Sequence, residues 1–251
     1  MPYFNIVAET SENTVVTEYE PVKKRSDSYQ SEAALEQEFI RMLCEQGYEY
    51  LPIHTESDLV SNLRRQLEEL NHYTFSDTEW EDFFHNAIAN PNEHIVEKTR
   101  KIQEDHIQNL RRDDGSTKNI TLIDKKNIHN NRLQVINQYV VSTKDGAKHD
   151  NRYDVTVLVN GFPLVHIELK RRGVAIREAF NQIERYQRES FWSGSGLYEY
   201  IQIFVISNGA NTKYYSNSTR WNAEREHKKK GASKTKSSNS FEFTCFWADA
   251  N

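Results

Sequence analysis

The sequence predicts an α/β fold: a mixed central β-sheet flanked by helices, with a helical N-terminal part ahead of it. Three observations predict it. Apolar residues recur at helical spacing between about residues 31 and 107, the period turns toward alternation from Asn119 onward, and a further helical segment separates the last two strong strand-like runs. Strands in series followed by helix and strand are the pattern of a mixed sheet with helices packed on its faces. A chain of 251 residues suffices for one large domain or one domain with an appendage.

Residues 1–27 are polar and irregular apart from two short strand candidates, Phe4–Ala8 and Thr14–Tyr19. Ser31 suits a helix N-cap, Glu32 suits its first turn, and Leu35, Phe39, Met42 and Leu43 repeat at helical spacing until Gly47, so a helix is expected over Ser31–Gln46. Leu59, Leu63, Leu67 and Leu70 form one apolar stripe, predicting a helix over Asp58–Leu70. The capping-box sequence Ser76-Asp77-Thr78-Glu79 opens a third, burying Trp80, Phe83, Phe84, Ala87 and Ile88 before Asn90-Pro91 ends it. A half-exposed helix is expected over Ile95–Ile107. Strands follow at Ile120–Ile123, Leu133–Val141, Arg152–Val159 and Leu164–Lys170, then a helix over Val174–Glu189 and a strand at Ile201–Ser207. Residues 28–223 are read as one domain. Residues 224–239, with five lysines among Gly, Ser and Thr, read as a mobile basic loop, and 240–251 as a final strand in which Phe241, Phe243 and Cys245 alternate.

Cys44 and Cys245 lack metal-ligand or disulfide-framework spacing and read as buried thiols in a reducing cytoplasm. No secretory leader or membrane-spanning run is present in the sequence. A net charge of −5 argues against a protein coated in positive charge, so any nucleic-acid contact is local.

The chemistry concentrates on two strand candidates joined by Asn160-Gly161. One carries Asp154; the other ends in Glu168-Leu169-Lys170. Carboxylate oxygens suit Mg²⁺, and a lysine beside them suits phosphodiester hydrolysis. The triplet alone is unspecific, since Asp124-Lys125-Lys126 and Glu226-His227-Lys228 also fit, but only Glu168-Leu169-Lys170 ends a β-like run. Pairing Val159 with Phe162 across a plain two-residue turn would put Asp154 and Glu168 on opposite faces. A shift of one residue, so that Leu158 pairs with Phe162, puts Asp154, Thr156, His166, Glu168 and Lys170 on one face and Val155, Val157, Val165, Ile167 and Leu169 on the other. A three-residue loop, Val159–Gly161, with Gly161 left-handed, or an equivalent bulge elsewhere in the pair, is therefore expected. A structural ion-pair cluster fits the same spacing, and His166 reads as a polar neighbour rather than a ligand. In the following helix Gln182 and Tyr186 share a face, and Arg171, Arg172, Arg177, Arg185 and Arg188 gather charge suited to a phosphate backbone.

These residues resemble the restriction-subunit N-terminal family of type I restriction-modification enzymes, within the PD-(D/E)xK and RecB-like nucleases. The resemblance runs from Tyr29-Gln30-Ser31-Glu32 through Leu122–Asn127, Asn151–Thr156, Ile167–Lys170, Gly173–Ile183 with Tyr186, and Phe204–Gly209. It implies a restriction-endonuclease-like fold, with Asp154 and Glu168 as metal-binding acids, the Leu169 carbonyl as a third ligand and Lys170 as the catalytic lysine. Gln182 and Tyr186 match the family's Gln-x-x-x-Tyr motif, which implies that they handle DNA at the cleavage site, and Glu32 matches an acid that could be an outer metal contact. Tyr153 departs from the pattern, standing where the superfamily's name has proline. The resemblance implies Mg²⁺-dependent cleavage of double-stranded DNA, with Mn²⁺ as a substitute ion. No phosphate-binding loop is found, so ATP is expected to serve a helicase-like motor outside an N-terminal fragment, alongside modification and specificity subunits. Two alternatives remain at this point: a stand-alone RecB-like or type IV-like nuclease, and a non-catalytic DNA-clamping or assembly module.

Overall fold

The computed structural model describes residues 3–9, 15–20, 31–217, 241 and 244–247; the basic stretch 224–239 and Phe243 lie outside them. Strands β1 (Tyr3–Glu9) and β2 (Val15–Glu20) pair antiparallel. Helix α1 (Glu32–Glu45) is capped by Ser31, whose Oγ accepts from the Ala34 N–H at 3.1 Å. Its half-buried stripe runs through Leu35, Phe39, Ile40 and Leu43, beside the buried Glu36, and leaves Met42 at the stripe's edge and 42% exposed rather than in the core. Cys44 and Cys245 are likewise exposed, not buried: Cys44 lies on the solvent side of α1 and Cys245 in a strand at the sheet's edge.

Helix α2 (Glu56–Asn71) starts at the Thr55 cap, two residues ahead of expectation, and buries Leu59, Leu63 and Leu67. Helix α3 (Asp77–Phe83) has the full reciprocal capping box and runs on into a π-helical turn, Phe84–Ile88. Ser76→Ala should cost about 1 kcal/mol in denaturant unfolding; an unchanged midpoint would deny the cap its role. Helix α4 (Ile95–Gln103) ends earlier than predicted. Ile107–Arg111 is instead strand β4, paired around Gly115 with β5 (Thr117–Thr121), so that Leu110 and Ile120 enter the core. The Asp114-Gly115 turn, with Gly115 at φ +81°, makes this hairpin.

The main sheet comprises β3 (Glu49–Tyr50), β6 (Leu133–Val141), β7 (Asn151–Val159), β8 (Phe162–Leu169), β9 (Ile203–Ser207), β10 (Thr212–Ser216) and β11 (Cys245–Trp247), in the order β11-β10-β9-β8-β7-β6-β3. It is mixed: β3 runs parallel to β6 and β8 parallel to β9, and the other pairs are antiparallel. Helix α5 (Ile176–Glu189) makes the crossover that parallel β8 and β9 require. One sheet face packs Val135, Val155, Val157, Ile167 and Leu169 under α1. The other packs Ile136, Leu158, Phe162, Phe204 and Ile206 against the remaining helices.

The β7–β8 connection differs in detail from expectation. Val159 pairs with Phe162 across a two-residue turn with Asn160 at φ +50° and Gly161 at φ +83°. The bulge comes later: Leu158 pairs with Pro163 but Val157 with Val165, which brings Thr156 opposite His166 and Val155 opposite Ile167. Proline has no N–H to lose from the ladder, so the irregularity falls where it costs least. The shift thus runs opposite to the expected pairing of Leu158 with Phe162, with Leu164 of β8 as the extra residue, but it puts Asp154 and Glu168 on one face as expected.

Candidate active site

Asp154 and Glu168 come together where β7 and β8 part. The last paired residues are Val155 and Ile167. Beyond them the Leu169 N–H donates to Asp154 Oδ2 at 2.9 Å, so a side chain, not a neighbouring strand's carbonyl, satisfies that amide. Asp154 is held by β7, Glu168 by β8, and Lys170 follows the end of β8, its own N–H bonded to the Ser207 carbonyl at 2.8 Å. Lys170 Nζ donates to Glu168 Oε1 at 3.1 Å.

Glu168 is fully buried, and its Oε2 has no hydrogen-bond partner. Burial first, and the nearby Glu168 carboxyl second, push Asp154 up to about 7. Burial also lifts Glu168 to about 7, against the opposing pull of Lys170. His166 is fully buried among the rings of Tyr153, Tyr186, Phe191 and Phe204. That apolar cage lowers its pKa to about 4 and keeps it neutral. Its Nε2 stands 3.5 Å from Glu168 Oε2 without forming a hydrogen bond. Tyr153 is the hub of the cage, and its hydroxyl meets Ser190 Oγ at 2.6 Å, tying β7 to the end of α5.

Glu32, at the start of α1, accepts the Arg171 N–H at 3.2 Å and so reaches the segment leaving β8. Gln182 donates to the Tyr186 hydroxyl, which donates to the Arg152 carbonyl at 2.9 Å. Tyr186 is only 1% exposed, so it supports the β7 backbone and its ring is not presented to solvent. Arg171, Arg172 and Arg177 are exposed; Arg177 lies over the Phe241 ring, 4.7 Å from its centre. Of the decoys, Asp124 is used up in its own turn, accepting from the Lys126 and Asn127 N–H groups and from Asn130. Glu226 lies outside the described residues.

Sequence reasoning missed Glu36. It is 7% exposed and accepts from the side-chain amides of Asn137 and Gln138 on β6. A glutamate inside the apolar stripe of α1 was the available signal.

Among the described residues no group of three or more His, Cys, Asp and Glu side chains gathers as a metal cage. The site thus offers two carboxylates, one with a buried unpartnered oxygen, whose raised pKa values show how poorly the surroundings stabilise their charges. Such a donor set fits a hard divalent cation that keeps other oxygen ligands.

Over residues 29–223 the chain matches the family described as Type I restriction enzyme R protein N terminus. It is 45% identical over 246 residues to the type I restriction enzyme EcoprrI endonuclease subunit of Escherichia coli, covering 98% of this chain and 72% of that protein. It is 40% identical over 195 residues to the SauMSSORF170P endonuclease subunit of Staphylococcus aureus strain MSSA476, covering 76% of this chain and 20% of that protein. The SsaAORF53P endonuclease subunit of Staphylococcus saprophyticus is 41% identical over 194 residues, 75% of this chain and 20% of that protein. The match thus spans about a fifth of the length of the staphylococcal relatives.

Proposed function

Because this chain belongs to the family of type I restriction enzyme R protein N termini, we propose that it is the Mg²⁺-dependent DNA-cleaving part of such an enzyme. The observation that carries this reading is the meeting of Asp154 and Glu168 at the strand divergence, with Glu168 Oε2 buried and unpartnered and Lys170 beside it. Asp154, Glu168 and the Leu169 carbonyl would hold Mg²⁺ or Mn²⁺, with Glu32 as an outer contact. Bound there, the ion would supply Lewis-acid polarisation of a phosphodiester and activation of water.

The chain's own residues supply the rest. Lys170 carries the positive charge that offsets negative charge growing on the phosphate in the transition state. The aromatic cage around His166 keeps water from behind Glu168, so that carboxylate stays desolvated and its interactions strong. Exposed Arg171, Arg172 and Arg177 offer contacts to the backbone of double-stranded DNA, and Gln182, held by Tyr186, lies on the same helix as Arg177. In the whole cytoplasmic enzyme, cleavage follows ATP-driven translocation by a helicase-like part of the longer subunit, while modification and specificity subunits choose the target. The greater length of the staphylococcal relatives supports that division of labour.

Lys170→Ala tests the assignment in the assembled enzyme with Mg²⁺, ATP and plasmid DNA. Cleavage should fall about 10²–10³-fold while Mn²⁺ binding to the chain persists; cleavage at the wild-type rate would refute the role. The raised carboxyls add a pH test. Both must lose protons with pKa near 7 before holding a cation, so Mn²⁺ affinity should rise at least about tenfold from pH 6 to pH 8. Affinity independent of pH over that window would mean that the ion binds elsewhere.

A further inference from the structure

Side-chain alternation breaks in two strands at facing positions. In β6, Ile136 belongs to the core under α2 to α5, yet Tyr139 and Val141 belong to it as well. In β7, Leu158 and Tyr153 lie in that core, while Val155 and Val157 lie under α1. Because Asn137 pairs with Val155 and Tyr139 with Tyr153, the two breaks fall opposite each other, at Gln138 and Asp154. Gln138 makes its break by adopting φ +53°. That left-handed conformation costs a non-glycine residue about 1 kcal/mol or more and persists only where its surroundings impose it.

Glu36 imposes it. Its two carboxylate oxygens take separate donors, Oε1 from Asn137 Nδ2 and Oε2 from Gln138 Nε2. Asn137 is itself oriented by the Tyr50 hydroxyl, which donates to its Oδ1 at 2.9 Å. One helical turn earlier, Glu32 accepts the Arg171 N–H. Helix α1 thereby grips the sheet on both sides of the carboxylate pair: at β6 through Glu36 and just past β8 through Glu32. The break at Asp154 takes its side chain out of the regular ladder and lets it receive the Leu169 N–H.

We propose that Glu36 is a positioning residue for Asp154, acting through the left-handed Gln138 on the neighbouring strand. Its relevance to catalysis rests on the reading of Asp154 as a cation-holding carboxylate; its structural content does not. The Leu169 amide, bonded to Asp154, reports the position of that carboxylate directly.

The test is residue-resolved amide hydrogen exchange on the whole chain, with Asp154→Ala as the benchmark for an unheld Leu169 N–H. Glu36→Gln keeps size and shape but offers one acceptor to two donors. Leu169 should then exchange at least about tenfold faster, with the Phe204 and Val205 amides unchanged. Adding Gln138→Gly, which accepts the left-handed region without strain, should restore much of the lost protection. Mn²⁺ affinity should fall about tenfold in Glu36→Gln and recover in the double variant. Leu169 protection unaltered in Glu36→Gln, or loosening spread evenly through the sheet, would overturn the proposal. A wild-type chain that bound no Mn²⁺ would overturn the functional reading instead, leaving Leu169 exchange to decide the positioning role.

Discussion

Glu168→Gln should abolish DNA cleavage, by at least about 10³-fold, and at the same time stabilise the protein above neutral pH. The two effects have one cause. Glu168 is fully buried, and burial, with the charge of Glu32, outweighs Lys170 and the contact with Asp154 that favour its ionised form. Its folded pKa of about 7 lies above the ordinary carboxyl value, so its favourable contribution is complete at low pH and is lost as pH rises through about 7. Glutamine resembles the protonated acid and does not ionise. At pH 4, below the ordinary carboxyl value, the variant should therefore melt with the wild type, and at pH 8 it should melt about 3–6 °C higher, the shift that ~1–2 kcal/mol produces in a chain of this size. Saturating Mn²⁺ should narrow that gap by stabilising only the wild type. Equal melting temperatures at both pH values would show that Glu168 is not strained by its burial, and undiminished cleavage would remove it from the chemistry.

Gly161→Ala should destabilise the fold by about 2–4 kcal/mol, the largest effect expected from a single added methyl group. Two penalties coincide there. Gly161 sits at φ +83°, where a side chain is strained, and a Cβ would come 2.6 Å from the Leu63 Cα in the middle of α2. Leu63 is fully buried, so the helix cannot retreat without opening the core. The neighbouring Asn160 also fixes the turn: its Oδ1 accepts the Arg132 N–H, and its Nδ2 donates to the Leu122 carbonyl and to Asn131. Denaturant unfolding measures the loss. A cost below about 1 kcal/mol would mean that the turn and α2 adjust together and that the register of β7 and β8 is set elsewhere.

The carboxylate pair was legible in the sequence because a strand has a strict period of two. Burying Val155, Val157 and Ile167 on one face requires a one-residue shift from the plain hairpin register, which also gathers Asp154 with Glu168; β7 and β8 make such a shift, though in the opposite direction to the expected pairing of Leu158 with Phe162. The placement of the compensating bulge was less legible: Asn160 and Gly161 both accept left-handed conformations, which favours the tight turn and displaces the irregularity to Pro163. Strand β4 was read as the end of a helix because Ile107 continues an apolar period that the Asp114-Gly115 turn then overrules. Strands β3 and β10 are short and close to the sheet's edges, where little apolar pattern is required. Tyr186 reads on the sequence as a residue available to DNA, yet it is buried against Tyr153 and His166, because the helical period places it one turn on from Gln182 and toward the cage. The role of Glu36 depends on a conformation at Gln138 that no local pattern announces.

Whether Asp154 and Glu168 form a divalent-cation site is decided by titration calorimetry with Mn²⁺ on the chain and on Asp154→Ala, with and without a short DNA duplex. Binding at one site is expected in the wild type, with or without the duplex, and its loss in the variant. Binding that survives in Asp154→Ala, or no binding by the wild type even with the duplex present, would contradict it and leave the pair a structural acidic cluster.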